Sequence, residues 1–473
     1  MIKIRNYFKS LLVILIILAI VWFVSLELTK QRIVIEAENK KHSIQALQSP
    51  YVWDFVHFNQ DVVESFQSYW HLDLAHSIHA KQSSNPQLSL NFSGQTLNPL
   101  LHDKLIIYSK KALLGKLKIQ IKSRLDDKIF YYSPLLDLSG KVNEINLNQT
   151  WKGYTASAES ADAVVWGNDL KKISSLVLIF SNPTAAIEIG KIELPYSQQK
   201  LSTTQVSVDC EGQIETLSAN KLIQFELNHG CLFPSNYMWL KHKLAQQFPE
   251  SLLSIKGVKS WQQSSLHTVN KPYTSNTILN AILYAVLLSS FLVVFWLRRK
   301  YATDKRSAHQ EPWYKWTAKQ MLFKGAKTAI KPYHLLINYA VVLVPTLGLL
   351  IVMTFINFPE LHAFKKLPLY FLWALIQQFL LGYVLAQRIF YSTTENRLLS
   401  ALLAATVFSL LHAPSASLMF ATFVAGGLWA YAFLVFKRLL PLALSHAVLA
   451  LMFYHVVSDK VLYTAKVMQW FWE

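Results

Sequence analysis

Polar side chains interrupt three long apolar segments in the last third of the chain. Gln377 and Gln378 form a pair within one segment, His412 closes the next, and Ser445 and His446 lie near the middle of the last. An amide, hydroxyl or neutral imidazole in lipid needs a hydrogen-bond partner, because hydrocarbon offers none. We therefore expect these groups to meet inside a helical bundle. Two roles remain open: hydrogen bonds that hold the helices together, or a site that acts on a substrate.

The chemistry open to this cluster depends on its two histidines. Histidine titrates near neutrality, so His412 or His446 could take a proton from a water molecule. A glutamine amide cannot act as a general base, because its protonation is far too unfavourable. Hydrolytic zinc sites typically use three protein ligands, often with a carboxylate. His455 is about half a turn away from His446 around the helix, so two histidines remain, and the sequence predicts neither a metal nor another cofactor.

The order of these residues resembles the CAAX protease and bacteriocin-processing (CPBP) family of intramembrane endopeptidases. The family motifs read Glu-Glu-x-x-x-Arg, then Phe-x-x-x-His, then His-x-x-x-Asn or Asp. Phe408 and His412 match the second motif, and His446 matches the histidine of the third. The glutamate pair of the first motif falls on Gln377 and Gln378.

The resemblance covers about residues 335–457 and departs from the family at two further positions. The family arginine falls on Gly382, and the last Asn or Asp falls on Ala450. In the family the glutamate is thought to activate a water molecule, while the histidines position it and stabilise the oxyanion. The resemblance implies an intramembrane endopeptidase with a variant site, in which Phe408 and Ser445 line the pocket, and which processes a membrane or envelope protein.

Two other functions remain open. The chain could be a catalytically inactive relative that binds a peptide or lipid segment and couples it to an outer domain. It could instead be a glycan- or protein-binding module that the helices anchor in the membrane.

The apolar segments are predicted to be membrane helices. The chain has 473 residues, of which 52% are hydrophobic, and the apolar residues occur in blocks of spanning length. About seven spanning helices are expected, and the fold class is a polytopic α-helical membrane bundle with an inserted extracytoplasmic β-sandwich domain. The blocks are 11–26, 278–297, 335–356, 367–387, 398–412, 417–436 and 439–457.

Basic residues beside these blocks predict the orientation of the chain. The first block follows a basic N-terminal segment and lacks the small residues of a cleavage site, which favours an anchor (1–28) over a cleaved signal peptide. The second helix (276–297) ends on Arg298-Arg299-Lys300. Because basic flanks stay in the cytoplasm, 29–275 is expected outside a bacterial-type plasma membrane, with the N-terminus inside. The net charge of +18 therefore orients helices, and no nucleic-acid partner is expected.

The main part of the predicted outer segment is a β region at about 86–197. Short alternating apolar runs separated by turns such as Ser93-Gly94 and Asn182-Pro183 favour a β-sandwich. The order of runs resembles galactose-binding-like jelly rolls, a fold-level similarity that implies no ligand. Its aromatic residues could stack on a sugar or fill the core, so a glycan is a possible partner. They are Tyr131, Tyr132, Trp151, Tyr154 and Trp166.

The rest of the outer segment, about 200–270, contains both cysteines and a predicted helix at 236–247. Cys210 and Cys231 are 21 positions apart, and in an oxidising compartment such a pair predicts one disulfide. Two unpaired buried thiols are the alternative.

Three remaining segments have weaker patterns. His71, His76 and His79 could suggest a metal site, but nothing nearby has ligand spacing, so packing or solvated histidines are the preferred interpretation. The basic loop 298–334 mixes lysines with aromatic residues and is expected to lie among anionic lipid headgroups. The loop leads into the bundle, 335–473, whose tail is expected at the outer interface.

Overall fold

The computed structural model divides the chain into two compact units. One comprises Met1–Arg32, Cys231–Trp239 and Pro272–Glu473, and the other Ile33–Gly230 and Leu240–Lys271. The structure describes residues 2–53, 70–72, 78–80, 85–92, 97–123, 129–155, 160–166, 170, 173–181, 187–197, 203–212, 222–228, 230–248, 250–261, 273–300, 332–356, 365–457 and 467. The turns Ser93-Gly94 and Asn182-Pro183, His76, most of the basic loop and nearly all of the tail lie outside these residues.

Eight α-helices and a π-helical segment form most of the helical part of the described chain, and a short 3-10 helix lies at Pro99–Leu101. The helices are α1 (Ile2–Gln45), α2 (Pro234–Gln247), α3 (Tyr273–Lys300), α4 (Pro332–Ile356), α5 (Leu367–Gln378), α6 (Arg397–Leu410), α7 (Ala416–Phe436) and α8 (Leu440–Val456). A π-helix, Phe379–Tyr391, and a short turn, Ser392–Thr394, extend α5.

Several of these helices could span a membrane. Among the described residues four are long and apolar enough by length and composition: Phe8–Gln45, Ile278–Lys300, Leu367–Thr394 and Ala416–Phe436. Three shorter apolar helices are Tyr339–Ile351, Arg397–Leu410 and Leu440–Tyr454. The helical part of the prediction is therefore confirmed, and the number of seven spans stays a prediction.

Helix α1 is longer than the apolar block that predicts it. The block ends near residue 26, whereas the helix runs Ile2–Gln45. Residues 27–45 contain no glycine or proline, so nothing in the local sequence stops the helix. Leu28 and Ile33 are buried. The helix therefore continues for about five turns beyond the apolar block.

The helices of the first unit pack into one bundle. Helix α6 lies against α7, and α8 lies against both α4 and α5. Leu381, Leu403 and Phe433 belong to the same buried cluster. Helix α1 packs against α3, where Val21 and Leu283 share a second buried cluster.

Two antiparallel sheets form most of the second unit. The six-stranded sheet has the order β2-β3-β13-β5-β9, with β1 beside β13, and the seven-stranded sheet has the order β11-β10-β7-β6-β12-β4, with β8 beside β6. The strands are β1 (Tyr51–Trp53), β2 (Trp70–Leu72), β3 (Ile78–Ala80), β4 (Gln87–Asn91), β5 (Lys104–Ser109), β6 (Gly115–Ser123), β7 (Ile129–Tyr132), β8 (Leu136–Leu138), β9 (Val142–Asn146), β10 (Thr150–Thr155), β11 (Ser160–Val165), β12 (Ile173–Ser181) and β13 (Glu188–Leu194).

The two sheets contribute to one hydrophobic core. Along β6 the side chains of Leu117, Ile119 and Ile121 are fully buried, and they alternate with lysine and glutamine. Ile107 of β5 and Ile192 of β13 belong to the same cluster. The period of two that predicts strands in this region therefore also identifies the buried face.

A third, parallel sheet follows the two antiparallel ones. It consists of β14 (Thr203–Val208), β15 (Leu222–Leu227) and β16 (Leu252–Ile255), in that order. Helix α2 lies between β15 and β16 in the chain, as parallel strands require a long crossover. The helix predicted at 236–247 is confirmed as Pro234–Gln247, whereas the parallel pairing goes beyond the sequence prediction.

The predicted disulfide is present. Cys210 and Cys231 are bonded to each other, and no free cysteine remains. The backbone N–H of Cys231 donates to the hydroxyl of Tyr237 at 2.9 Å. The side chains of Cys231 and Tyr237 are both buried, so Cys231 is held in a fixed environment.

Removing the disulfide is expected to destabilise the native protein. Replacing Cys210 and Cys231 by serine opens the loop between two cysteines that are 21 positions apart. The loop-entropy relation predicts that this change lowers the free energy of unfolding by about 3 kcal/mol. The measurement is thermal unfolding of the full chain in detergent, with reduced wild type as control. Reduced wild type and the double variant should unfold alike. Two titratable thiols in oxidised, unfolded wild type would contradict the bond.

Candidate intramembrane site

Gln378 and His446 meet in the middle of the helical unit. Gln378 is the last residue of α5 and is 0% exposed, and His446 of α8 is 9% exposed. The Gln378 Nε2 amide lies 3.1 Å from Nδ1 of His446. The predicted meeting of polar groups is therefore observed for this pair.

With the Gln378 amide in this orientation, the hydrogen bond indicates which nitrogen of neutral His446 carries the proton. An amide N–H donates, so Nδ1 of His446 accepts and the neutral ring carries its proton on Nε2. The ring is held in place by two aromatic neighbours. It stacks on Trp429 at a centroid distance of 4.5 Å and meets the edge of Phe408 at 6.1 Å. His446 thus presents an N–H donor rather than an acceptor.

His412 has the opposite tautomer. Its Nδ1 lies 2.7 Å from the backbone carbonyl oxygen of Phe408, and a carbonyl only accepts, so Nδ1 carries the proton. The lone pair of neutral His412 is therefore on Nε2. The Phe408 ring lies 5.0 Å from the His412 ring and also contacts His446. One phenylalanine thus separates an imidazole that can accept a proton from one that can donate.

A chain of hydrogen bonds holds Trp429, the residue on which the His446 ring stacks. The indole N–H of Trp429 donates to the hydroxyl of Ser445 at 3.1 Å. Ser445 and Thr346 are 2.7 Å apart, and Thr346 donates to the carbonyl oxygen of Val342 at 2.8 Å. Because the Thr346 proton is already used, Ser445 must donate to Thr346. Ser445 therefore orients Trp429 and through it the histidine.

A cavity of about 1760 Å³ surrounds these groups, and its lining is predominantly apolar. Gln377 and Ala450 line it together with His412, Ser445 and His446. Gln377 does not form the hydrogen bond to His446 that Gln378 forms, because neighbouring residues on a helix point about 100° apart. No aspartate or glutamate is among the described residues that line the cavity.

One atom in the cluster lacks a partner. The Oε1 oxygen of Gln378 is buried without a hydrogen bond among the described residues. A buried unpaired carbonyl costs free energy, so this oxygen is a ready acceptor for a water molecule or a bound donor. Among the described residues, no three or more His, Cys, Asp or Glu lie together in a group that could hold a metal ion.

The sequence does not single out Thr346 or Trp429. Both lie in apolar helices where a lone threonine or tryptophan is ordinary. Thr346 could have been noticed as another hydroxyl at hydrocarbon depth, which needs a partner just as Ser445 does. Trp429 offers no such signal, since its role depends on the neighbour its ring stacks on.

The aromatic residues of the β region divide between the core and the surface. Trp151 and Trp166 are 0% and 2% exposed and stack at 5.4 Å, and Tyr131 packs against the same core. Tyr132 and Tyr154 are half-buried and meet edge to face at 5.7 Å. Core packing therefore explains three of the five aromatics.

Two histidines of the histidine-rich segment lie in described strands. His71 and His79 are directly paired across β2 and β3. The Nε2 atom of His79 lies 3.8 Å from the carboxylate of Glu188.

Comparisons with known proteins give little similarity. No protein-family model matches the chain, and no curated protein is similar to it. Among solved structures, a fucose binding module from Streptococcus pneumoniae, SpX-3, is similar over 26% of this chain and 74% of its own, with 14% identity and a TM-score of 0.17. A TM-score this low establishes neither a shared fold nor a shared ligand.

Proposed function

We propose that the helical unit is an intramembrane endopeptidase of the CPBP type with a two-histidine site. The observation that carries this proposal is the complementary state of the two imidazoles. His412 offers a lone pair on Nε2, His446 offers an N–H on Nε2, and both line one apolar cavity beside Phe408. The substrate would be a membrane-embedded peptide segment of a membrane or envelope protein.

The proposed hydrolysis uses these two groups in sequence. His412 Nε2 takes a proton from a water molecule as its oxygen attacks the scissile carbonyl carbon. His446 Nε2–H donates to the developing oxyanion. The C–N bond then breaks, and His412 returns the proton to the leaving amine. The apolar lining excludes bulk water, which strengthens both hydrogen bonds.

The proposal includes an orientation in the membrane. The basic residues after α3 favour a cytoplasmic position for that end in a bacterial-type plasma membrane, and the basic loop would then contact anionic lipid. The β-rich unit would be extracytoplasmic, which agrees with its disulfide. The two sheets with a common core support a β-sandwich.

A second candidate is a non-catalytic relative that binds a peptide or lipid segment in the same cavity. The observation in its favour is the lack of a carboxylate among the described lining residues. Without one, no group there replaces the family's glutamate as a strong base. In this candidate the unpaired Oε1 of Gln378 would accept a hydrogen bond from the bound segment.

Two histidine variants separate these candidates. We expect His412→Ala and His446→Ala each to remove the cleavage products that the wild type generates in cell membranes, detected by proteomic analysis of new peptide N-termini. His455→Ala is the matched control, because this histidine lies on the opposite side of α8 by helical spacing. Absence of any wild-type-dependent product would favour the binding candidate, and full cleavage by both variants would contradict the two-histidine site.

A further inference from the structure

The outward face of the seven-stranded sheet has a basic and aromatic composition that neither proposed activity uses. The strands β6, β7 and β10 contain no aspartate or glutamate. Their inward side chains are apolar and buried, as Ile119, Ile121 and Trp151 show. The alternate positions therefore carry the polar and aromatic residues outward.

Strand register brings these outward residues into one patch, here called the lysine–tyrosine patch. Tyr132 is directly opposite Gln120 on β6 and Lys152 on β10. Phe130 is opposite Tyr154. The patch comprises Lys116, Lys118, Lys122, Phe130, Tyr132, Lys152 and Tyr154.

Contacts within the patch fix its central ring. The Lys118 ammonium lies 4.5 Å from the centre of the Tyr132 ring, and the Tyr154 ring meets Tyr132 at 5.7 Å and 69°. Tyr132 and Tyr154 are half-buried, whereas Lys116 and Lys152 are exposed. Ordered rings with one open side can bind a flat apolar surface at little cost in side-chain entropy.

Charge indicates the kind of partner. Four lysines on the face outnumber the two acidic residues on the neighbouring strands, Asp137 of β8 and Asp162 of β11. We propose that the lysine–tyrosine patch binds an anionic polysaccharide. The sugar rings would stack on the tyrosines, and carboxylate or phosphate groups would meet the lysine ammonium groups. Ammonium groups, being compact point charges, suit such anions without requiring a fixed geometry.

Binding of a defined polymer to the full chain in non-ionic detergent tests the proposal. Polygalacturonate oligosaccharides are expected to bind, neutral dextran is not, and the affinity should fall as salt screens the lysines. Tyr132→Ala and Lys118→Ala should each weaken binding about tenfold. Tyr132→Phe keeps the ring and should bind like the wild type. Lys104→Ala on the other sheet is the matched control, because Lys104 already pairs with Glu144 at 3.5 Å.

Three results would overturn the proposal. If dextran bound as tightly as polygalacturonate, charge would play no part in the binding. Binding of phosphatidylglycerol vesicles or of single-stranded DNA, with none of polygalacturonate, would identify a different class of partner. Unchanged affinity in Tyr132→Ala, with an unfolding temperature equal to that of the wild type, would show that the patch is not the site.

Discussion

Replacing Glu250 by alanine is expected to lower the free energy of unfolding of the β-rich unit by about 3–5 kcal/mol, the usual cost of leaving one partner of a buried ion pair alone. Both carboxylate oxygens of Glu250 lie 3.1 Å from Nε2 of His102. The two side chains are 4% and 0% exposed. Nδ1 of His102 donates to the carbonyl oxygen of Pro195 at 2.9 Å. A carbonyl oxygen only accepts, so Nδ1 of His102 carries a proton, and Nε2 faces the carboxylate of Glu250.

Further groups depend on the same carboxylate. The Tyr51 hydroxyl donates to Glu250 at 3.1 Å, and the Tyr196 ring stacks on His102 at 5.0 Å. Loss of the carboxylate therefore leaves the buried His102 ring and the Tyr51 hydroxyl without their partner. The effect is measured as the denaturant midpoint of the full chain, or as hydrogen exchange in the described β strands.

An exposed ion pair in the same unit provides the control. Lys104 and Glu144 are 3.5 Å apart, with side chains 33% and 62% exposed, and Glu144→Ala should cost less than about 1 kcal/mol. The double variant His102→Leu/Glu250→Leu should be less destabilised than the sum of its single changes. Equal small losses in Glu250→Ala and Glu144→Ala would contradict the account.

The same cluster predicts the acid sensitivity of the unit. Burial raises the pKa of Glu250, but the charge and hydrogen bond of His102, the charge of Lys40 and the Tyr51 hydroxyl outweigh it, so the pKa lies below its usual value of 4.5. A lowered pKa stabilises the fold above that value, and the contribution disappears as the pH falls through the folded-state pKa. Glu250→Gln should flatten this acid dependence.

For some residues, periodicity alone indicates which side of a strand or helix they face. Trp151 and Tyr154 differ in parity along β10, so they must face opposite sides of the sheet. The structure places the first in the core and the second outside. Likewise Gln377 and Gln378 cannot both reach His446, because adjacent helical residues diverge by about 100°. In both cases the spacing of the residues determines which way they face, once the strand or helix is identified.

Long-range pairs and unusual helix geometry cannot be predicted from periodicity. His102 and Glu250 are 148 positions apart, and Glu250 lies at φ 61, a left-handed conformation that no local signal predicts for glutamate. The π-helix after Gln378 has no sequence signature either. These features depend on what the rest of the chain places beside a residue, and periodicity contains no information about that.

Gly382 is expected to be the most size-sensitive position of the helical unit. It lies in the π-helical segment, and a Cβ atom added there would lie 2.7 Å from Cγ and 3.1 Å from Cβ of Phe433. Phe433 of α7 is 1% exposed, and these atoms belong to the fixed base of its side chain, so the ring cannot simply turn away. Gly382→Ala should therefore cost about 1–3 kcal/mol through overpacking.

An arginine at this position should be far worse. The CPBP motif has arginine where this chain has Gly382, but the Phe433 ring fills the space that it would need. Gly382→Arg should abolish the folded bundle, because it adds overpacking to a buried charge. Folded yield and unfolding temperature in detergent are the measurements. Introducing the CPBP first motif by Gln377→Glu, Gln378→Glu and Gly382→Arg should consequently fail to give a folded protein.

Gly348 of α4 is the matched control for Gly382. Among the described residues, no atom beyond the adjoining part of its own helix lies within 4 Å of a Cβ added at Gly348. Gly348→Ala should therefore be neutral or stabilising, since alanine favours a helix over glycine by about 1 kcal/mol. Phe433→Ala combined with Gly382→Ala should recover part of the Gly382→Ala loss, because the clash is removed. If Gly348→Ala and Gly382→Ala behaved alike, the close approach of Phe433 could not be what excludes an arginine at position 382. The difference from the CPBP motif would then need a cause within the polar cluster itself.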